Sequence, residues 1–165
     1  MNFKSDPQLP PLNLPAVELK IISNGKKGVQ VYDPLRRKFV AMTPEEYVRQ
    51  HFVAWLTGEL RYPTHMIANE TGITVNGQRK RCDTVIFGRD GSPLMIVEYK
   101  APGVNITQDV FDQIYRYNLT LKARYLVVSN GLRHYCCLMD YDADTYHFIP
   151  RIPDYRSLYL NPGDN

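Results

Sequence analysis

The sequence predicts an α/β fold, a mixed sheet flanked by helices in the order α-β-β-β-α-β, preceded by a β-hairpin and an extended arm. Three observations carry this. Residues 44–59 and 107–121 place apolar side chains at helical spacing. Between them lie three short extended runs joined by Asn-Gly and Asp-Gly turns. After the second helix, ARYLVVSNG (123–131) is a β-branched run suited to a buried strand.

Length and composition set the frame. The chain has 165 residues, which suits one core. With 44% apolar and 22% charged residues it has an ordinary globular mix, not that of a disordered chain. No apolar run is long enough to cross a bilayer, and the N-terminus lacks the apolar segment of a signal peptide, so a cytoplasmic protein with no membrane partner is expected. Cys82, Cys136 and Cys137 have no zinc-ligand spacing and read as buried, reduced thiols.

In chain order, residues 1–15 are proline-rich and read as an extended arm, and 16–165 as one domain. VELKII (17–22) and VQVYD (29–33) flank an Asn-Gly turn and form a hairpin. RRKFVAM (36–42) is a short basic strand. Thr43-Pro44-Glu45-Glu46 is a helix start, with Thr43 at the N-cap and Glu46 completing a capping box. Val48, Phe52, Trp55 and Leu56 then share one helical face. HMIANETGITV (65–75), RCDTVIFG (81–88) and PLMIVEYKA (93–101) form an antiparallel meander through turns at NGQRK and RDGS. Thr107 caps the second helix, which crosses over so that 93–101 and 123–131 lie parallel. HYCCLMDYD (134–142) and TYHFIP (145–150) close a last hairpin, and 151–165 reads as an irregular tail.

The chemistry is concentrated in the meander. Strand alternation puts Glu98 and Lys100 on one face, at the end of an otherwise apolar strand. Burial of both charges is costly unless they pair or serve a ligand. A hairpin centred on residues 90–91 brings Asp83 opposite residue 98. Two facing carboxylates repel, and a divalent cation removes that repulsion. Mg²⁺, or Mn²⁺ in its place, needs only one or two carboxylates beside water and phosphate oxygens. It lowers the pKa of a bound water, and a neighbouring lysine offsets charge on a pentacoordinate transition state. Asp83 and Glu98 are thus candidate catalytic and metal-binding residues, Lys100 a catalytic one, and the Tyr99 carbonyl a further metal ligand. Compact basic clusters, Arg36-Arg37-Lys38 and Arg79-Lys80-Arg81, suit contact with a phosphate backbone, so DNA is the expected partner.

Asp83 with Glu98-Tyr99-Lys100 resembles the PD-(D/E)xK nuclease signature, with Cys82 where the signature carries proline. TPEEYVRQHF, NGQRKRCDTVIF to PLMIVEYKAP, ITQDVFDQIYRYN and LVVSNG, taken in order, resemble the N-terminal nuclease domain of type I restriction enzyme R subunits. The resemblance implies a restriction-endonuclease-like core and Mg²⁺-dependent endonuclease activity on DNA in restriction or DNA processing. It also implies that the helicase and specificity domains of such enzymes are not encoded here.

Two further positions follow from it. A first-helix glutamate reaches the metal in many such nucleases. Glu45 is preferred because its spacing to Val48 and Phe52 puts it on the inward stripe, while Glu46 is explained by the capping box. Gln113 through Tyr117 matches a QxxxY motif, making Gln113 a catalytic candidate and Tyr117 a DNA contact. Glu70 could join the site or face solvent. His51, His65, His134 and His147 have no ligand spacing and read as surface or packing residues. The alternative function is a catalytically silent module on the same fold that binds nucleic acid or docks a partner. Candidate protein partners are a second copy of the chain and a separate motor or methyltransferase subunit.

Overall fold

The computed structural model describes residues 9–159. Two sheets, one antiparallel and one mixed, and two long helices account for most of it. A three-stranded sheet holds β1 (Ile21–Asn24), β2 (Gly28–Asp33) and β3 (Lys38–Ala41) in sequence order. Helix α1 (Pro44–Gly58) leads to a six-stranded sheet. Its strands are β4 (Ile67–Val75), β5 (Gln78–Phe87), β6 (Pro93–Tyr99), β7 (Tyr125–Ser129), β8 (His134–Asp140) and β9 (Thr145–Ile149), again in order. All neighbours are antiparallel except β6 and β7, which helix α2 (Gln108–Leu121) connects as a parallel pair. This is the expected α-β-β-β-α-β order.

The apolar pattern explains the layers. Val48, Phe52 and Leu56 of α1 pack with Met95, Val97, Tyr99 and Val127. Phe111 and Ile114 of α2 pack with Val85, Ile96, Leu126 and Val128. Successive residues of β6 thus feed opposite cores, as strand alternation requires, and the sheet lies between the helices. The three cysteines are buried and free. Among the described residues no helix is long and apolar enough to cross a membrane.

The small sheet joins the large one through polar groups. Asp33, at the end of β2, is fully buried. It accepts from the Leu35 and Arg36 backbone N–H groups, from the Arg36 side chain and, at 3.0 Å, from Asn69 Nδ2 on β4. Thr84 Oγ1 donates to Asn69 Oδ1 at 2.7 Å, and Tyr99 OH donates to Thr84 Oγ1 at 2.9 Å. Burial alone would raise the Asp33 pKa, but its bonds from Arg36 and Asn69 outweigh that and hold the carboxyl below its ordinary range. A buried network is stabilising when every member is satisfied, and here each of these side chains has a partner.

Several boundaries differ from expectation. The first strand begins at Ile21 rather than residue 17. Residues Thr64–Met66 form a 3-10 turn before β4. The NGQRK turn contracts to Asn76 and Gly77, both at positive φ, so Gln78 to Arg81 extend β5 and carry the basic cluster onto a strand. The tail expected to be irregular contains a short helix, α3 (Tyr155–Tyr159), while 160–165 lie outside the described residues. So do residues 1–8 of the arm. The rest of the arm is irregular and tied down: Asn13 N–H donates to Gly131 O at 2.8 Å and Tyr47 OH to Pro10 O at 3.3 Å.

Both caps are partial. Thr43 Oγ1 accepts from Glu46 N at 3.1 Å, but the Glu46 side chain turns inward and does not close the box. Thr107 sits extended at the N-cap of α2 and makes no side-chain cap bond.

Candidate active-site cleft

Three carboxylates lie in a row across β4, β5 and β6. The β4–β5 register pairs Asn69 with Thr84 and Thr71 with Cys82, which leaves Glu70 opposite Asp83. The β5–β6 register pairs Thr84 with Val97, and its next step sets Asp83 opposite Glu98. Backbone pairing lapses at both steps. Asp83 Oδ2 takes over and accepts from Tyr99 N at 2.9 Å. Glu70 has φ of 58°, a left-handed conformation within a strand. For a non-glycine residue that costs about 1–3 kcal/mol, and such strain gathers at functional sites.

An open cleft of about 500 Å³ receives this row. It is lined by Glu70, Asp83, Glu98, Tyr99 and Lys100 from the sheet, and by Glu45, Glu46 and Arg49 from α1. Lys100 follows β6, and its N–H donates to Ser129 O at 2.9 Å. That bond anchors the lysine backbone to β7 and fixes where the side chain leaves the sheet.

Each carboxylate has distinct support. Tyr117 of α2 donates to Glu98 Oε2 at 3.0 Å. Arg49 of α1 lies 3.7 Å from Asp83 Oδ1, 2.5 Å from Glu70 Oε1 and 3.5 Å from Glu46 Oε2. Glu46 also accepts from Arg36 Nη2 at 2.5 Å and from Gln50 Nε2 at 2.8 Å. Burial first, and then the charge of Asp83, push the Glu98 carboxyl up to about 7. Burial likewise raises Asp83, partly countered by the Tyr99 N–H and by Arg49. Burial pushes the Cys82 thiol up to about 12, which makes it an inert neighbour.

Burial disfavours ionisation of both adjacent carboxylates, and their hard oxygens suit a hard divalent cation. Among the described residues no group of three or more His, Cys, Asp or Glu side chains is arranged to hold a metal. A pair of carboxylates is a donor set that a hard cation can complete with waters and substrate oxygens.

The sequence-derived candidates separate into groups. Asp83, Glu98, Tyr99 and Lys100 come together. Glu45 reverses the helical-stripe expectation: it is exposed on the rim, whereas Glu46 is 6% exposed and directed inward. The capping box that was to occupy Glu46 is incomplete, which frees its carboxylate for Arg36 and Arg49. Gln113 is exposed one turn before Tyr117 and makes no side-chain hydrogen bond to the row. Tyr117, expected to touch DNA, is instead half-buried against Glu98. Arg36 is drawn into the Asp33 and Glu46 ion pairs and is not a free cation.

Arg37, Lys38, Arg79, Lys80 and Arg81 are exposed. Lys38 and Arg79 to Arg81 line an open groove of about 740 Å³ that shares Glu70 with the cleft. The basic groove thus runs into the acidic row. Sequence reading missed Arg49 altogether. Its signal was a charged residue beside Val48 and three before Phe52, on the flank of the buried stripe.

Comparison with known proteins bears on the family and the fold. A family model for the type I restriction enzyme R protein N terminus matches residues 44–153, two thirds of the chain. The fold is similar to a fragment structure assigned as an HsdR subunit of a type I restriction enzyme from Vibrio vulnificus YJ016, at 21% identity and a TM-score of 0.51. The match covers 70% of this chain and 24% of that one, so the chain spans about a quarter of the solved fragment. No curated protein matches.

Proposed function

The chain belongs to the family of the type I restriction enzyme R protein N terminus, and from that membership we propose that the cleft is the active site of a Mg²⁺-dependent DNA endonuclease of the PD-(D/E)xK type. The observation that carries the reading is the Asp83–Glu98 pair, within β5 and near the end of β6, both pushed towards protonation, with Lys100 beside them in one cleft. Asp83, Glu98 and the Tyr99 carbonyl would hold Mg²⁺ or Mn²⁺. When bound, the ion supplies Lewis acidity and a water acidic enough to attack phosphorus at neutral pH.

The remaining roles belong to the chain. Tyr99 N–H fixes one Asp83 oxygen, and Tyr117 fixes Glu98. Lys100 orients the nucleophilic water and offsets charge as the phosphorus becomes pentacoordinate. Lys38, Arg79, Lys80 and Arg81 hold the phosphate backbone in the groove that shares Glu70 with the cleft. Gln113, exposed one turn before Tyr117, would orient substrate or water. A second copy of the chain, or a separate motor or methyltransferase subunit, would direct cutting.

The alternative is a silent nucleic-acid-binding module, and one observation favours it: Arg49 stands among the acids that would serve a metal. Both readings meet the same test. Supercoiled, linear, branched and single-stranded DNA are incubated with the chain in Mg²⁺ or Mn²⁺. Cleavage that disappears in Asp83→Asn and Lys100→Ala supports the nuclease. Cleavage of none, or cleavage indifferent to Lys100→Ala, leaves the silent module.

A further inference from the structure

Among the described residues, Arg49 is the one whose buried side-chain nitrogens lack hydrogen-bond partners. The residue is 4% exposed. Among the described residues, its Nε and Nη1 are the buried side-chain nitrogens without a hydrogen-bond acceptor. Buried guanidinium groups in a scaffold are ordinarily matched by carboxylates in bidentate geometry. An orphaned donor keeps the full cost of losing its water. Here acceptors are close without being engaged: Glu46 Oε2 lies 3.5 Å from Nη1 and Asp83 Oδ1 lies 3.7 Å from Nη2. The one short contact is Nη2 to Glu70 Oε1 at 2.5 Å, and Glu70 is the residue held at positive φ. The strained backbone at Glu70 thus secures a guanidinium that is poorly bonded to everything else.

The charge count gives the reason. Glu45, Glu46, Glu70, Asp83 and Glu98 line one cleft with Arg49 and Lys100, while Arg36 shares Glu46 from behind. Without a further cation, Arg49 is the positive group nearest Asp83. A guanidinium at 3.7 Å neutralises that carboxylate electrostatically without tying it by a hydrogen bond.

We propose that Arg49 is a positioning residue, the resident counter-cation of the cleft, which neutralises Asp83 while no divalent ion is present and yields Asp83 to an ion of the Mg²⁺ and Mn²⁺ class. Glu70 holds the guanidinium so that it neither bonds Asp83 tightly nor swings into the cleft. The inference rests on the nuclease reading and adds a regulation of its site: divalent-ion affinity is set by competition with a built-in cation.

The test is Mn²⁺ binding to the full chain without DNA, by calorimetry and by thermal melting, for the parent, Arg49→Gln and Arg49→Lys. Loss of the competing charge in Arg49→Gln is expected to tighten Mn²⁺ at least tenfold while DNA cleavage falls. Arg49→Lys, which keeps the charge, returns the affinity to within about threefold of the parent, a tolerance below one tenfold step of 1.4 kcal/mol. Arg49→Gln should melt lower than the parent without the ion, and Mn²⁺ should raise its melting temperature more than it raises the parent's. A purely structural role predicts the reverse, weaker binding in proportion to lost stability. That result, unchanged affinity, or an Arg49→Gln chain that stays unfolded at saturating Mn²⁺ overturns the proposal and leaves the nuclease reading intact. A parent chain that binds no Mn²⁺ removes both.

Discussion

Tyr117 Oη donates its hydrogen to Glu98 Oε2 at 3.0 Å, tying α2 to the end of β6. The tyrosine is itself pushed far from ionisation by burial and by the Glu98 charge, so it acts as a donor across the whole working pH range. Removing that hydroxyl in Tyr117→Phe keeps the ring packing and leaves Glu98 one donor short. We expect Mn²⁺ affinity to fall about tenfold, within the range for groups that orient metal ligands. The pH at which cleavage is half-maximal should also rise. Calorimetry and a cleavage pH profile check both, and an unchanged profile would separate Tyr117 from the site.

Glu98 also makes the cleft pH-sensitive. Its carboxyl titrates at about 7 in the fold against an ordinary 4.5. Between those values the folded chain holds a proton that the unfolded chain has released. The ion-free chain therefore loses stability from this group as pH rises from about 4.5 to 7. A divalent ion must displace that proton. Mn²⁺ affinity should climb steeply between pH 5.5 and about 7 and level off above it. Release of close to one proton per ion at pH 6 should appear as a buffer-dependent heat. Glu98→Gln should abolish the dependence along with most of the affinity.

The fold was legible because each element carried its own local signal. Asn76-Gly77 and Asp90-Gly91 marked the meander, and Thr43-Pro44 marked the start of α1. The pairing of Asp83 with Glu98 followed from counting residues across one hairpin. What stayed hidden depended on tertiary context. A capping box and an inward-facing glutamate are equally good readings of Glu45-Glu46, and the choice was made by Arg36 and Arg49, which approach from the turn between β2 and β3 and from the same helix. Arg36 and Lys38 belong to one basic run and both line the groove, yet the buried Asp33 holds the first in an ion pair while the second is exposed. Tyr117 could not be told from a base-stacking residue until β6 fixed Glu98 within its reach. Periodicity shows which face is buried but not which polar groups meet there.

Gly131 joins the arm to the sheet. It has φ of 82°, and a Cβ there would lie 2.6 Å from Leu12 Cδ2 and 3.2 Å from Val48 Cγ2. Its carbonyl accepts from Asn13 N. Gly131→Ala combines a disfavoured backbone with a clash against both the arm and α1, and we expect a loss of about 1–3 kcal/mol in urea denaturation. Gly103→Ala is the control. No atom lies within 4 Å of its built Cβ and its φ is ordinary, so stability should change by less than about 0.5 kcal/mol.

The strand position of Arg79, Lys80 and Arg81 makes a quantitative prediction about DNA. On a flexible turn these side chains would be mobile charges with a diffuse effect. On β5 they stand at fixed spacing beside Lys38, in the groove that shares Glu70 with the cleft. Backbone-phosphate contacts release counterions, and each one adds about 0.9 to the slope of log affinity against log salt on duplex DNA. Replacing all three by glutamine should weaken binding similarly for unrelated sequences and lower that slope by roughly two to three. Binding should be measured in Ca²⁺ or without a divalent ion so that cleavage does not intervene. Arg36→Gln should leave the slope unchanged, because Asp33 and Glu46 already hold its charge. It should lower stability instead, since a buried carboxylate loses its partner. If Arg36→Gln changes the salt slope as much as Arg81→Gln does, then the ion pairs open on DNA and the groove is wider than the one described.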